Sequence, residues 1–288
     1  MIKDMINHTP VQAVIGSEVT GVDLARDINE NLAREIQTLW DERLVLVFRG
    51  QSLDDDALIR FSEFFGELDP PGPNPYGRPI NPDNPLINII SNLKDDAGQA
   101  LGNLGDGEAV WHQDMTYVEK PPRGAVLHAH ELPADGGNTY FSNMYAAYES
   151  LDADTRAFIN NKHAIHDASR NSAGMLRKGY EPVTDPRQTP GAHQPLVRTN
   201  PRTGQKCLML GRRPGSYIPG LEVDESEALL DRLWAHASEE RFAMTHIWQL
   251  GDVLMWDNLS VLHKRDAFDP SLRRRLHRTQ LRGTEAIV

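Results

Sequence analysis

After residue 85 the chain breaks into short extended runs, most of them closed by glycine or proline and too brief to be helices. Ile87–Ile90, Ala125–Ala129, Thr139–Phe141, Leu196–Thr199, Cys207–Leu210, Phe242–Trp248, Val253–Trp256 and Arg274–Leu281 all read as strands, with Gly136-Gly137, Pro201 to Gly204 and Gly251 as punctuation. Runs this short cannot bury their own faces, so they must pair into sheets that cover one another. Two helical patterns interrupt them, near 153–160 and over 225–238, where Leu229, Leu230, Leu233 and Trp234 share a face. The pattern predicts a mainly β fold with flanking helices, a jelly roll formed from two sheets.

The N-terminal part alternates element types. Val11–Ile15 and Val19–Leu24 read as strands broken by Gly16 and Gly21, and 29–42 as an amphipathic helix through Leu32, Ile36, Leu39 and Trp40. Leu44–Phe48 reads as a buried strand, and Asp54–Asp56 opens a second helix with acidic groups at its positive end. Seven prolines between Asp69 and Pro85 predict a loop. That loop, the segment 92–110 and the weakly periodic segment 162–194 are the expected active-site loops of a single domain over 1–288.

A formal net charge of −11 opposes binding to nucleic acid or an anionic membrane surface. The single cysteine, Cys207, rules out an internal disulfide and a thiolate cluster. With no signal-peptide core and no run of 18 apolar residues, a cytoplasmic protein is expected.

Trp111-His112-Gln113-Asp114 is the most pointed stretch for chemistry. On extended backbone, residues i and i+2 face the same way, so His112 and Asp114 offer an imidazole and a carboxylate together. A hydrogen-bonded surface pair would read the same. His263, beyond Trp256-Asp257-Asn258, is a third candidate ligand. Two histidines and a carboxylate form the facial triad of non-heme Fe(II) oxygenases, and the same donors serve catalytic zinc. In Arg273-Arg274-Arg275-Leu276-His277-Arg278, a strand puts Arg274 and Arg278 on one face. Facing inward, each guanidinium needs an anion, whereas facing outward they form a solvated basic edge. His128 and His130 alternate on a strand that reads as polar-faced, His163 and His166 read as structural, and Cys207 as a small core residue.

These residues resemble the taurine and aryloxyacetate (herbicide) dioxygenases, which use Fe(II) and 2-oxoglutarate. The resemblance spans nearly the whole chain. It runs from Gly16 to Leu24 and Phe64-Phe65-Gly66-Glu67-Leu68, through Trp111 to Tyr117, Pro121-Pro122, Leu132-Pro133 and Gly136-Gly137-Asn138-Thr139, to Trp256-Asp257-Asn258, His263 and Arg274 to Arg278. It implies a double-stranded β-helix, cupin-like core. It also implies His112, Asp114 and His263 as iron ligands, Arg274 and Thr139 on the distal carboxylate of 2-oxoglutarate, Trp256 beside the metal pocket, and Arg278 on the anionic end of the substrate. Pro71 and Asn74 stand where the taurine enzyme has substrate-contacting histidine and tyrosine, and Glu108 where it has a substrate-binding asparagine, so taurine is a poor match. Arg212 or Arg213 falls where family members place substrate-lining residues.

The implied activity is hydroxylation of a small anionic organic substrate by O2, with 2-oxoglutarate converted to succinate and CO2. A sulfonate, a sulfate ester, an aryloxyalkanoate or another carboxylate would satisfy Arg278. A homo-oligomer, dimer or tetramer, is usual for such enzymes. The competing readings are a zinc-dependent hydrolase on the same triad and a non-catalytic β-barrel that binds an organic acid. Small anions fit the charge pattern, because Lys264 to Arg282 carries seven Lys/Arg against two Asp within an acidic chain.

Overall fold

Val45, Val47, Leu254 and Trp256 pack into one apolar layer, while Leu46, Phe48, Val253 and Met255 pack into another. This period of two, with both faces buried, explains why these runs read as continuous apolar segments rather than alternating ones. The computed structural model describes residues 6–26, 28–72, 80–104, 109–284, 286 and 287. In chain order the first strands are β1 (Asn7–Pro10), β2 (Ser17–Thr20), β3 (Val45–Phe48), β4 (Asn88–Ser91), β5 (Asn103–Leu104), β6 (Ala109–His112), β7 (Gly124–Glu131) and β8 (Thr139–Asn143). They are followed by β9 (His163–Ile165), β10 (His193–Pro195), β11 (Val197–Thr199), β12 (Lys206–Leu208), β13 (Ala243–His246), β14 (Val253–Asp257), β15 (Val261–Arg265) and β16 (Arg275–Leu281). The α-helices are α1 (Glu30–Arg43), α2 (Asp55–Glu63), α3 (Met144–Glu149), α4 (Ala153–Ile159) and α5 (Val223–Ala237).

The strands form an eight-stranded sheet in the order β1-β2-β3-β14-β7-β16-β4-β5 and a four-stranded sheet in the order β13-β8-β15-β6. The layer between them holds Leu127, Phe141, Leu254, Trp256, Val261 and Leu276, and α3 and α5 extend it with Met144, Leu229, Leu230 and Leu233. On the outer face of the large sheet, Ile36 and Trp40 of α1 and Leu58 and Phe61 of α2 cover Phe48, Val126 and Met255. The Asn29 and Asp54 side chains cap these two helices by accepting from the Leu32 and Ala57 N–H groups. Gly124 lets β7 approach closely, since a Cβ there would lie 2.5 Å from the Trp256 carbonyl oxygen and 2.7 Å from the Trp40 ring.

Several expectations from the sequence change. Val11–Ile15 is the turn between β1 and β2, closed by Val11 N–H donating to the Gly16 carbonyl. The strand lies earlier, at Asn7–Pro10, an exposed edge whose polar residues carry no hydrophobic signal. Its partner β2 ends at Thr20 rather than Leu24. Helix α3 and strand β15 were not anticipated. The segments 92–110 and 162–194 carry short strands, the first β5 and the start of β6, the second β9 and the first two residues of β10, which pairs with β9.

Candidate active site

The small sheet assembles the triad. His263 of β15 and His112 of β6 are direct cross-strand partners, which brings their rings to 4.1 Å between centroids. Asp114 lies two residues beyond His112, with carboxylate oxygens 3.3 Å from His112 Nε2 and 3.7 Å from His263 Nε2. One ligand atom from each of the three residues falls within 4.8 Å of the other two. His112 Nδ1 is 2.7 Å from the Val110 carbonyl oxygen, and donating there leaves Nε2 as the free electron pair facing the site. Burial, reinforced by the neighbouring His112, pushes His263 down to about 3, so its imidazole is neutral. Burial works against the Asp114 carboxylate, but the positive charge beside it, led by the Arg278 guanidinium, holds the group well below the usual range. Two imidazole nitrogens and an ionised carboxylate are the donor set that a divalent metal requires.

Two cavities meet at this point, sharing Ile90, His112, Asp114 and Arg278 in their walls. The second contains His263, Thr139, Trp256, Arg265 and Arg274. Arg274 is 2 % exposed. Its Nη2 makes a long bond of 3.4 Å to the Gly137 carbonyl, while Nε and Nη1 are buried without a partner. Burial, then the nearby Arg265, pushes the guanidinium down to about 9. Such a group calls for an anion. Thr139 Oγ1 accepts from Trp248 Nε1 at 3.0 Å, which leaves its own proton to donate into the cavity. Trp256 packs 5.3 Å from the His263 ring and 5.8 Å from Phe141, so it both completes the core and walls the site.

In the first cavity, Arg278 donates from Nη1 to Asp114 at 2.8 Å. Neighbours along the chain point the other way: Arg273, just before β16, and Arg275 reach Glu131, and His277 reaches Asp55. Arg212 lines this cavity and pairs with Asp167 at 2.7 Å. Arg213 does not line it, because the next side chain along turns outward to Glu227 and Asp231 on α5. Glu108 and Asn74 lie outside the described residues. Asn88, Asn103, Asn171, Ser172 and Arg177 complete much of the wall. Reading the sequence did not single out Arg265, Arg177 or the role of Asn258, which accepts from the Asp114 N–H and donates to its carbonyl.

Of the other histidines, His128, His130 and His277 stand together on the sheet face beneath α2, with Asp55, His130 and His277 also at ligand spacing. His163 is exposed, and His166 is buried with both ring nitrogens unpartnered. Cys207 is buried, and desolvation pushes its thiol up to about 12.

A β-sandwich with a His-Asp-His triad at the mouth and a buried arginine beside it defines a non-heme metal dioxygenase site. The model of the family described as taurine catabolism dioxygenase TauD, TfdA family, matches residues 7–280, and the chain belongs to that family. It is 34 % identical over 276 residues to the alpha-ketoglutarate-dependent 2,4-dichlorophenoxyacetate dioxygenase of Cupriavidus pinatubonensis, covering 93 % of this chain and 95 % of that one. It is 33 % identical over 292 residues to the (S)-phenoxypropionate/alpha-ketoglutarate-dioxygenase of Delftia acidovorans, covering 96 % and 94 %. The crystal structure of AAD-2 with Mn(II) and N-oxalylglycine superposes with a TM-score of 0.80 at 30 % identity, over 98 % of this chain and 99 % of that one. The chain is therefore a 2-oxoglutarate-dependent dioxygenase with a metal-binding His-Asp-His triad in a double-stranded β-helix fold. Among the described residues, no helix is long and apolar enough to cross a membrane.

Proposed function

We propose that the enzyme binds Fe(II) through His112, Asp114 and His263 and hydroxylates a small anionic organic substrate anchored by Arg278. The observation that carries this reading is the junction of the two cavities at Asp114, with a buried arginine that has no carboxylate partner among the described residues in one and Arg278 in the other. When bound, Fe(II), 2-oxoglutarate and O2 supply the oxidising chemistry, with succinate and CO2 as the co-substrate's products.

The protein's part is orientation and charge. Arg274 takes the distal carboxylate of 2-oxoglutarate, and Thr139 donates a second hydrogen bond to it, so the other end faces the triad. Asp114 would serve a cation held with His112 and His263, and Arg278, no longer its main partner, would be free to pair with the substrate's anionic group. Trp256, Phe141 and Leu127 exclude water from the co-substrate side. Holding both acids by guanidinium forks fixes which C–H bond lies near the metal.

The relatives' names point to the same chemistry, since a phenoxyacetate, a phenoxypropionate and, in an enzyme of Pseudomonas putida, a sulfate ester all carry an anionic group. The test is a screen of sulfonates, sulfate esters, aryloxyalkanoates and aliphatic carboxylates for stimulated succinate release with Fe(II) and 2-oxoglutarate. We expect stimulation by anions, lost in His112→Ala and Asp114→Ala. Hydrolysis supported by zinc without O2 uptake would overturn the reading.

A further inference from the structure

The cavity on the substrate side carries more positive charge than one anchor requires. Four arginines line it: Arg170, Arg177, Arg212 and Arg278. Arg212 is neutralised by Asp167 and Arg278 by Asp114. Arg177 has no carboxylate partner among the described residues, although it is 8 % exposed. Its guanidinium lies 4.2 Å over the Tyr117 ring, Nη1 donates to the Ala168 carbonyl at 2.6 Å, and Nε is buried without a partner. Arg170, half-buried beside it, donates to the Gly174 carbonyl. A carbonyl and an aromatic face orient a guanidinium but do not cancel its charge. The wall is mixed, and Asn88, Asn103, Asn171 and Ser172 in it offer hydrogen bonds to a charged ligand.

We propose that the prime substrate carries two anionic groups, one taken by Arg278 beside the triad and the other by Arg177 in the segment after β9. The inference rests on the reading of Arg278 given above. Once a metal ion claims Asp114, both guanidiniums lack a counter-charge, and a dianion supplies one to each. A mono-anion fills the Arg278 end and leaves Arg177 buried and unpaired. Arg177 thereby selects among acids that Arg278 alone would accept. Because Arg177 also ties the turn at 168–177 through Ala168, the test must separate charge from scaffolding.

The probes are α,ω-dicarboxylates of three to eight carbons and their matching monoamides. They are titrated calorimetrically, without oxygen, into enzyme loaded with Mn(II) and labelled 2-oxoglutarate. One dicarboxylate length is expected to bind about 10-fold or more tightly than its monoamide, as charge-assisted bonds allow, with the labelled 2-oxoglutarate retained. Arg177→Gln should erase that preference, bringing diacid affinity down to that of the monoamide in the same variant, whereas Arg177→Lys should restore most of it by keeping the charge. Equal binding of diacid and monoamide, a preference that survives Arg177→Gln, a loss as large in Arg177→Lys as in Arg177→Gln, or binding only by displacement of 2-oxoglutarate would overturn the assignment. If monoamides bind and Arg278→Gln abolishes this while the second carboxylate adds nothing, Arg177 alone is misassigned. If Arg278→Gln changes neither series, the anchoring role of Arg278 fails as well.

Discussion

Asn258 holds the backbone of Asp114 in a two-point clamp, its Oδ1 accepting from the Asp114 N–H at 2.6 Å and its Nδ2 donating to the Asp114 carbonyl at 2.9 Å. The same Nδ2 donates to the Pro122 carbonyl, also at 2.9 Å. The residue after Asp114, Met115, has φ 52, a conformation that a non-glycine residue adopts at a cost. Asp114 sits past the end of β6, where no ladder hydrogen bond fixes it, so the amide of Asn258 takes over that task.

Asn258→Ala is expected to weaken metal binding about 10- to 100-fold, the range found when a group that orients a ligand is lost. Three hydrogen bonds disappear and the Asp114 backbone is left partly unsatisfied, so the melting temperature should fall as well. Metal titration of the variant beside the parent measures the first effect. An unchanged affinity would show that the β6 strand alone positions Asp114.

Arg274→Met separates ligand binding from stability. In the ligand-free protein it removes a buried charge that lacks a carboxylate partner among the described residues, so the melting temperature should hold or rise. In the 2-oxoglutarate complex the same change strands the distal carboxylate and should cost about 3–5 kcal/mol of binding. Arg278→Gln should do the reverse, abolishing substrate-stimulated turnover while leaving 2-oxoglutarate affinity within a few-fold. Equal losses of 2-oxoglutarate binding in both variants would mean that the two arginines do not divide the acids between them.

Gly137 shapes the pocket of Arg274. Its φ is 66, and a Cβ there would lie 3.1 Å from Arg274 Nε. Gly137→Ala should cost about 1–2 kcal/mol through the left-handed backbone and push the guanidinium off its line. Steady-state kinetics should then show KM for 2-oxoglutarate rising more than kcat falls. A stability loss with unchanged KM would leave Gly137 as a turn residue only.

Strands β3, β4, β7, β14 and β16 of the large sheet and the helices α1, α2 and α5 were legible because their apolar residues repeat at the period of a half- or doubly-buried element, and because Asn29 and Asp54 mark the helix starts. β1 was not, since an exposed edge of Asn-His-Thr-Pro buries nothing that leaves a pattern. β15 was hidden because Val261-Leu262 is a short apolar run followed by His-Lys-Arg, and pairing with β8 and β6 rather than hydrophobicity makes it a strand. The triad residues were visible as types at a spacing, but the cross-strand pairing of His112 with His263 depends on β15. Arg212 and Arg213 show the limit of a dipeptide: adjacent side chains diverge, and only Asp167 on one side and α5 on the other decide which enters the cavity. Arg177 and the clamp of Asn258 left no local signal, because what gives each its meaning is a partner distant in the chain, Tyr117 for one and Asp114 for the other.

His166 sets part of the acid sensitivity of the fold. It is buried with both ring nitrogens unpartnered, and burial pushes its pKa from 6.5 down to about 3. Gly211 packs against the ring so closely that a Cβ would lie 2.2 Å from Nδ1, which leaves the imidazolium no room for a counter-ion on that side. The unfolded chain therefore takes up a proton below pH 6.5 while the folded chain does not until about pH 3. The stability contributed by the neutral ring is complete above 6.5 and drains away as pH falls through that window, at up to about 1.4 kcal/mol per pH unit. His166→Leu removes the titrating group and leaves an apolar side chain in its place. Denaturant unfolding at pH 7 and pH 5 should show the variant at least as stable as the parent at the higher pH and losing less between the two. An identical acid loss in both proteins would show that His166 already carries its proton in the fold.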